Sequence, residues 1–103
     1  MGYTKITQEE AKHIMDTKDN IIILDVRNPE EFVTGHIKGA INVPNPSITN
    51  REIPELPDKK QEILVYCRSG QRSQIASKKL VVLGYENIKD FGGIMDWKYD
   101  VES

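Results

Sequence analysis

Cysteine is almost missing from this sequence: a single one, Cys67, stands among 103 residues. No disulfide can join two parts of the chain, so the fold must rest on a packed core. A lone cysteine also cannot resolve its own oxidised form. Charge of one sign is not in surplus either. The formal net charge is −2 with 29% charged residues, which speaks against a general nucleic-acid binder, although it leaves room for a local basic patch. No apolar run approaches the roughly 20 residues of a membrane span. Met1-Gly2-Tyr3-Thr4-Lys5 lacks the apolar stretch of a secretory signal. Gly2 invites a myristoylation reading, but the sixth position, which wants Ser or Thr, is Ile6. These absences point to a soluble, cytoplasmic protein with no nucleic-acid or membrane partner. With one cysteine and the distant pair His13 and His36, no metal site has ligand spacing, and no cofactor is expected.

What is present is an alternation of β-rich runs and helical stretches, without internal repeats or low-complexity tracts. Tyr3 to Ile6 reads as a short strand. Thr7 followed three residues later by Glu10 is a capping box, and Ala11, Ile14 and Met15 give the following helix an apolar stripe. Ile21-Ile22-Ile23-Leu24 is a continuous aliphatic run leading into Asp25-Val26-Arg27, as expected of a strand buried on both faces. Asn28-Pro29-Glu30-Glu31 looks like a helix start that Gly35 ends, and Ala40 to Val43 is a further strand. Residues 44 to 58 contain four prolines and read as a surface connection with one helical turn around Arg51 to Glu55. Ile63 to Tyr66 is the second strongly buried strand, with Cys67 at its end. A helix follows from about Arg72 to Leu83, with Ala76, Leu80 and Leu83 on one face and Gly84 after it. Asn87 to Phe91 is the last strand, and Gly92-Gly93 should turn the chain into a terminal helix bearing Trp97. The pattern predicts an α/β fold of three layers with a mainly parallel sheet.

The segment that carries chemistry is Cys67-Arg68-Ser69-Gly70-Gln71-Arg72-Ser73. It joins a buried strand to a helix, and open α/β sheets bind ligands beyond the carboxyl ends of their strands. Backbone N–H groups at the opening of the helix can converge on an anion, helped by the helix dipole. Gly70 permits backbone angles that other residues resist, and Arg68 and Arg72 add fixed positive charge. Such surroundings favour a thiolate, the nucleophilic form of cysteine. A lone cysteine after a buried strand is more often a small core hydrophobe. Here the basic, glycine-containing neighbours make a poor core and a good anion cradle.

These residues resemble the rhodanese family, and the resemblance covers nearly the whole chain. Asp25-Val26-Arg27 followed by Glu31-Phe32 looks like its first signature, and Gly35 through Pro44 looks like its second. Leu83-Gly84-Tyr85, Asn87-Ile88 and Gly92-Gly93-Ile94-Met95-Asp96-Trp97 resemble its C-terminal portion. The resemblance implies a single rhodanese domain over residues 1–103, with a five-stranded parallel sheet flanked by helices. It also implies a sulfurtransferase in which Cys67 takes a sulfane sulfur from a donor such as thiosulfate. The persulfide then passes it to cyanide, an external thiol or a protein acceptor. Certain phosphatases and arsenate reductases share the fold and use a Cys-x5-Arg loop. The spacing from Cys67 to Arg72 is one residue shorter, which suits a single sulfur atom better than a tetrahedral oxyanion.

The site expected on this basis is Cys67 as catalytic residue, with Arg68, Ser69, Gly70, Gln71 and Arg72 binding the donor. Ser69 and Ser73 are read either as hydrogen-bonding the cysteine sulfur or as capping the helix, with capping expected of at least one. Asp25 and Arg27 are expected to brace neighbouring loops, with Glu30 or Glu31 as partner of Arg27. His36 is read as part of a structural turn rather than a general base, and Trp97 as a packing residue. A non-catalytic rhodanese-like binding module is the alternative, and a phosphatase-like enzyme ranks after it. The retained cysteine in a basic loop favours catalysis.

Overall fold

The structure is a computed structural model that describes residues 2–103. Its elements alternate as the sequence pattern predicts. Strand β1 (Thr4–Lys5) leads into helix α1 (Gln8–Thr17), then β2 (Ile21–Asp25), α2 (Pro29–Thr34), β3 (His36–Ile37) and β4 (Ile41–Asn42). Strand β5 (Glu62–Cys67), helix α3 (Gln71–Val82), β6 (Ile88–Gly93) and β7 (Val101–Glu102) complete the chain. Five strands form one parallel sheet in the order β1-β6-β5-β2-β4. Every connection within it must therefore cross over a face.

The crossovers bury the sheet on both sides. Every residue of β5 is buried, and successive side chains alternate between two cores. Ile63, Val65 and Cys67 face one core, where Ala76 and Leu80 of α3 pack with Leu24, Val26 and Ile88. Leu64 and Tyr66 face the other, with Ala11 of α1, Ile37 and Phe91. The capping box of α1 forms as read: Glu10 N–H donates to Thr7 Oγ1 at 3.0 Å, and Thr7 N–H donates to Glu10 Oε1 at 2.8 Å.

Three local expectations are corrected. The segment 44–58 has its helical turn, of 3-10 type, at Asn45–Ser47 rather than around Arg51 to Glu55. It is also more than a surface connection, because Ile48, Ile53 and Leu56 are buried and close the α3-side core. Apolar anchoring, rather than local propensity, shapes this proline-rich stretch. Gly92-Gly93 does not turn the chain but continues β6, where Gly93 pairs with Cys67 across a register irregularity. In place of a terminal helix there is one 3-10 turn, Ile94–Asp96, with Trp97 just after it. The chain then runs into β7, antiparallel to β3. Trp97 packs against the α1-side core, with its ring 5.4 Å from that of Phe91.

Candidate active site

Cys67 is the last residue of β5, and the N-cap of α3 comes three residues later. The side-chain alternation of β5 directs the sulfur toward the α3 layer, where it is almost wholly covered at 1% exposure. Gly70 is the N-cap of α3 with φ +106°, in the left-handed region that favours glycine. That conformation turns its N–H back onto the cysteine, so that Gly70 N–H donates to Cys67 Sγ at 3.0 Å. Arg68, Ser69 and Gln71 are exposed around this buried sulfur. The strand end, the loop and the first turn of α3 thus enclose the sulfur, with one backbone N–H directed at it.

Two anchors hold the loop, and neither was visible in the sequence pattern. The first is Gly93 on the neighbouring strand. Its Cα lies so close beneath the loop that a Cβ there would meet Arg68 O at 2.1 Å and Ser69 Cα at 2.7 Å. The second is Asp90, at 1% exposure. Its Oδ1 accepts from Ser73 Oγ at 2.8 Å and from Gly92 N–H at 3.0 Å, which ties α3 to the end of β6. Ser73 Oγ also lies 3.1 Å from Gly70 O. Neither Ser69 nor Ser73 is the N-cap of α3, which corrects the capping expectation; the left-handed turn put Gly70 there instead.

The charged residues at this end of the sheet are arranged differently from expectation. Arg27 does not bind Glu30 or Glu31. It pairs with Asp25, Nη2 donating to Oδ2 at 2.7 Å and Nε to Oδ1 at 3.1 Å. Asp25 also accepts from Tyr66 Oη at 2.6 Å, and Arg27 donates to Gly35 O at 2.7 Å. Burial first, and then the Asp25 carboxylate, push the Tyr66 phenol well above its ordinary range. This buried group links β2, β5 and the turn after α2, the bracing role expected of Asp25 and Arg27. Glu31 instead binds Arg72: Nη1 donates to Oε1 at 2.7 Å and Nη2 to Oε2 at 3.0 Å. Those bonds hold the Glu31 carboxyl down at about 2, against the opposing effect of burial. The Arg72 guanidinium is raised in turn, chiefly by its hydrogen bonds to Glu31. Among the described residues the Arg68 side chain makes no ion pair, so it is the uncommitted cation of the loop.

The remaining candidates lie apart from the sulfur. The His36 ring stacks on Phe32 at 3.7 Å, and its Nδ1 donates to Phe32 O at 2.9 Å. Its Nε2 faces Glu102 at 3.4 Å, so both nitrogens have structural partners. His13 is exposed on α1. Among the described residues no group of His, Cys, Asp and Glu is placed to hold a metal ion, and no helix is long and apolar enough to cross a membrane.

Comparison with known proteins agrees with this geometry. The sequence model of the Rhodanese-like domain matches residues 7–100. The thiosulfate sulfurtransferase PspE of Escherichia coli is 37% identical over 73 residues, covering 71% of this chain and 70% of that protein. The adenylyltransferase and sulfurtransferase UBA4 of Candida albicans is 38% identical over 106 residues. There the match takes in 96% of this chain but only 24% of the larger protein, so the chain spans about a quarter of that relative's length. Among solved structures, a rhodanese with anions from E. coli superposes with a TM-score of 0.72 at 33% identity. That superposition covers 80% of this chain and 96% of the other. The five-stranded parallel sheet, the cysteine loop at its carboxyl edge and these matches together make the chain a member of the rhodanese family, whose relatives named here are sulfurtransferases.

Proposed function

We propose that this chain transfers a sulfane sulfur from thiosulfate, or a donor of the same chemistry, to an external acceptor through a persulfide on Cys67. The observation that carries the reading is the Gly70 N–H directed at the Cys67 sulfur at 3.0 Å, at the first turn of α3. A preorganised N–H and a helix N-terminus stabilise negative charge on that sulfur before and after transfer.

The Cys67 thiolate attacks the outer sulfur of thiosulfate. The sulfur–sulfur bond of the donor breaks, its electron pair leaves with sulfite, and Cys67 keeps the outer sulfur as a persulfide anion. A thiolate or cyanide then attacks that sulfur and restores the Cys67 thiolate. Arg68, Ser69, Gly70 and Gln71 surround the donor as it enters. Arg72, paired with Glu31 in the free protein, is the second cation of the site. One rhodanese unit in the cytoplasm, acting without cofactor, is the setting of this reading.

Mass spectrometry after thiosulfate treatment tests it. The expected result is one added sulfur on Cys67, none on a Cys67→Ser protein, and ping-pong kinetics with cyanide or a thiol. A protein that gains no sulfur and turns over no donor would be a binding module instead.

A further inference from the structure

Two ion pairs stand at the carboxyl end of the sheet beside the cysteine loop. Asp25 takes Arg27, and Glu31 takes Arg72 through both carboxylate oxygens. The two pairs differ in burial. Arg27 and Asp25 are closed off, at 7% and 0% side-chain exposure. Arg72 and Glu31 remain wet, at 32% and 29%. A buried pair stripped of one partner leaves an uncompensated charge, whereas in a half-exposed pair water can screen the partner that a competing anion displaces. An anion arriving at Cys67 therefore meets Arg68 as a free cation and Arg72 as one already bound to a carboxylate. Glu31 is fixed at its post independently of Arg72, because its Oε1 also accepts from Asn28 N–H at 3.0 Å at the start of α2.

We propose that Glu31 determines the site's selectivity for donor charge by competing with the donor for Arg72. The inference rests on Cys67 being the sulfur-carrying nucleophile. A site with both arginines free would hold a dianion tightly, but it would hold the dianionic product sulfite equally well. With Glu31 as internal competitor, the donor gains Arg72 only by displacing a carboxylate, and the product loses it to the same carboxylate. Glu31 carries its negative charge throughout the neutral range, since its carboxyl sits at about 2. The competition is thus permanent rather than switched by pH.

The test separates binding from turnover. In a Cys67→Ser background, which cannot form a persulfide, thiosulfate affinity is measured by calorimetry at low ionic strength with and without Glu31→Gln. Glutamine keeps the oxygen that accepts from Asn28 and removes the charge. The expected result is about threefold tighter binding with a steeper loss of affinity on adding salt. A monoanionic aryl thiosulfonate should gain less. Adding Arg72→Ala should abolish the gain, because the effect passes through that residue. Equal or weaker binding in Glu31→Gln would overturn the proposal. A second measurement needs no change at position 31: saturating thiosulfate should shift the Glu31 carboxyl carbon and Arg72 Nε signals in the Cys67→Ser protein, and silence at both would also overturn it. In proteins with Cys67 intact, KM for thiosulfate should fall more than kcat changes. Failure of Cys67 to accept sulfur at all would sink the sulfurtransferase reading, while the binding arms would still decide the role of Glu31.

Discussion

At the scale of single residues, the cysteine and the glycine opposite it carry the sharpest expectations. Cys67→Ser should reduce sulfur transfer from thiosulfate by at least about a thousandfold, since loss of a covalent nucleophile is not made up by neighbours. Residual thiosulfate:cyanide turnover near the wild-type rate would refute the role of Cys67. Gly93→Ala should be costly for a different reason. The new Cβ would lie 2.1 Å from a backbone oxygen of Arg68, and the backbone has no rotamer with which to yield. A loss of roughly 2–4 kcal/mol in denaturant unfolding is expected, together with poor loading of Cys67. A variant as stable and as active as wild type would show that the loop moves freely over β6. The hydroxyl of Tyr66, between Asp25 Oδ2 and Ile37 N–H, is a third sensitive point. Tyr66→Phe should cost about 1–3 kcal/mol by orphaning a buried N–H.

At the scale of elements, the link between α2 and α3 is the Glu31–Arg72 pair, and it has a pH signature. The carboxyl falls from an ordinary 4.5 to about 2 in the folded protein. A carboxylate with a depressed folded value stabilises the fold above its unfolded value and loses that contribution as pH falls toward the folded one. The stability difference between wild type and Glu31→Gln should therefore be constant near neutrality and shrink between about pH 5 and pH 2. Urea unfolding across that window measures it, and a difference independent of pH would show that the pair is not formed in solution. Loop length is the other property of this junction. Cys67 and Arg72 are separated by four residues, and the Arg72 guanidinium is turned to Glu31. Aryl phosphate hydrolysis should be negligible, because phosphoryl transfer depends almost wholly on positioned donors. Cys67-dependent hydrolysis rivalling sulfur transfer would contradict this. Phosphate binding gained only on inserting one residue after Gly70 would support it.

At the scale of the whole molecule, the one cysteine is buried where β5, β6 and α3 meet, with no second thiol to discharge it. The persulfide form should persist for hours in buffer free of thiols, cyanide and partner proteins, and unload within minutes once a thiol is added. Repeated mass measurement of the loaded protein checks this. Rapid unloading without an acceptor would mean that another group in the chain attacks the sulfur.

Much of this architecture is legible in the sequence because its causes are local. The capping box at Thr7 and Glu10, the Asn28-Pro29 helix start and the aliphatic runs of β2 and β5 depend on residues within a few positions of each other. So does the placement of Cys67 between a buried strand and a helix. The parallel sheet follows from that alternation, and the resemblance in motif order supplied the family. The tertiary structure alone decided what depends on strand order. Gly92 and Gly93 read as a turn because glycines usually break elements, yet Gly93 is in β6 since only a residue without a side chain fits beneath the Arg68 carbonyl. Asp90 and Ser73 are joined across 17 positions, and Glu31 and Arg72 across 41. No local periodicity encodes either pairing. They exist because β6 and β2 flank β5, which brings the carboxyl end of each strand to the start of α3. The residue types that could do the chemistry were determined along the chain; which carboxylate neutralises which arginine was decided by the neighbours that the sheet gave them.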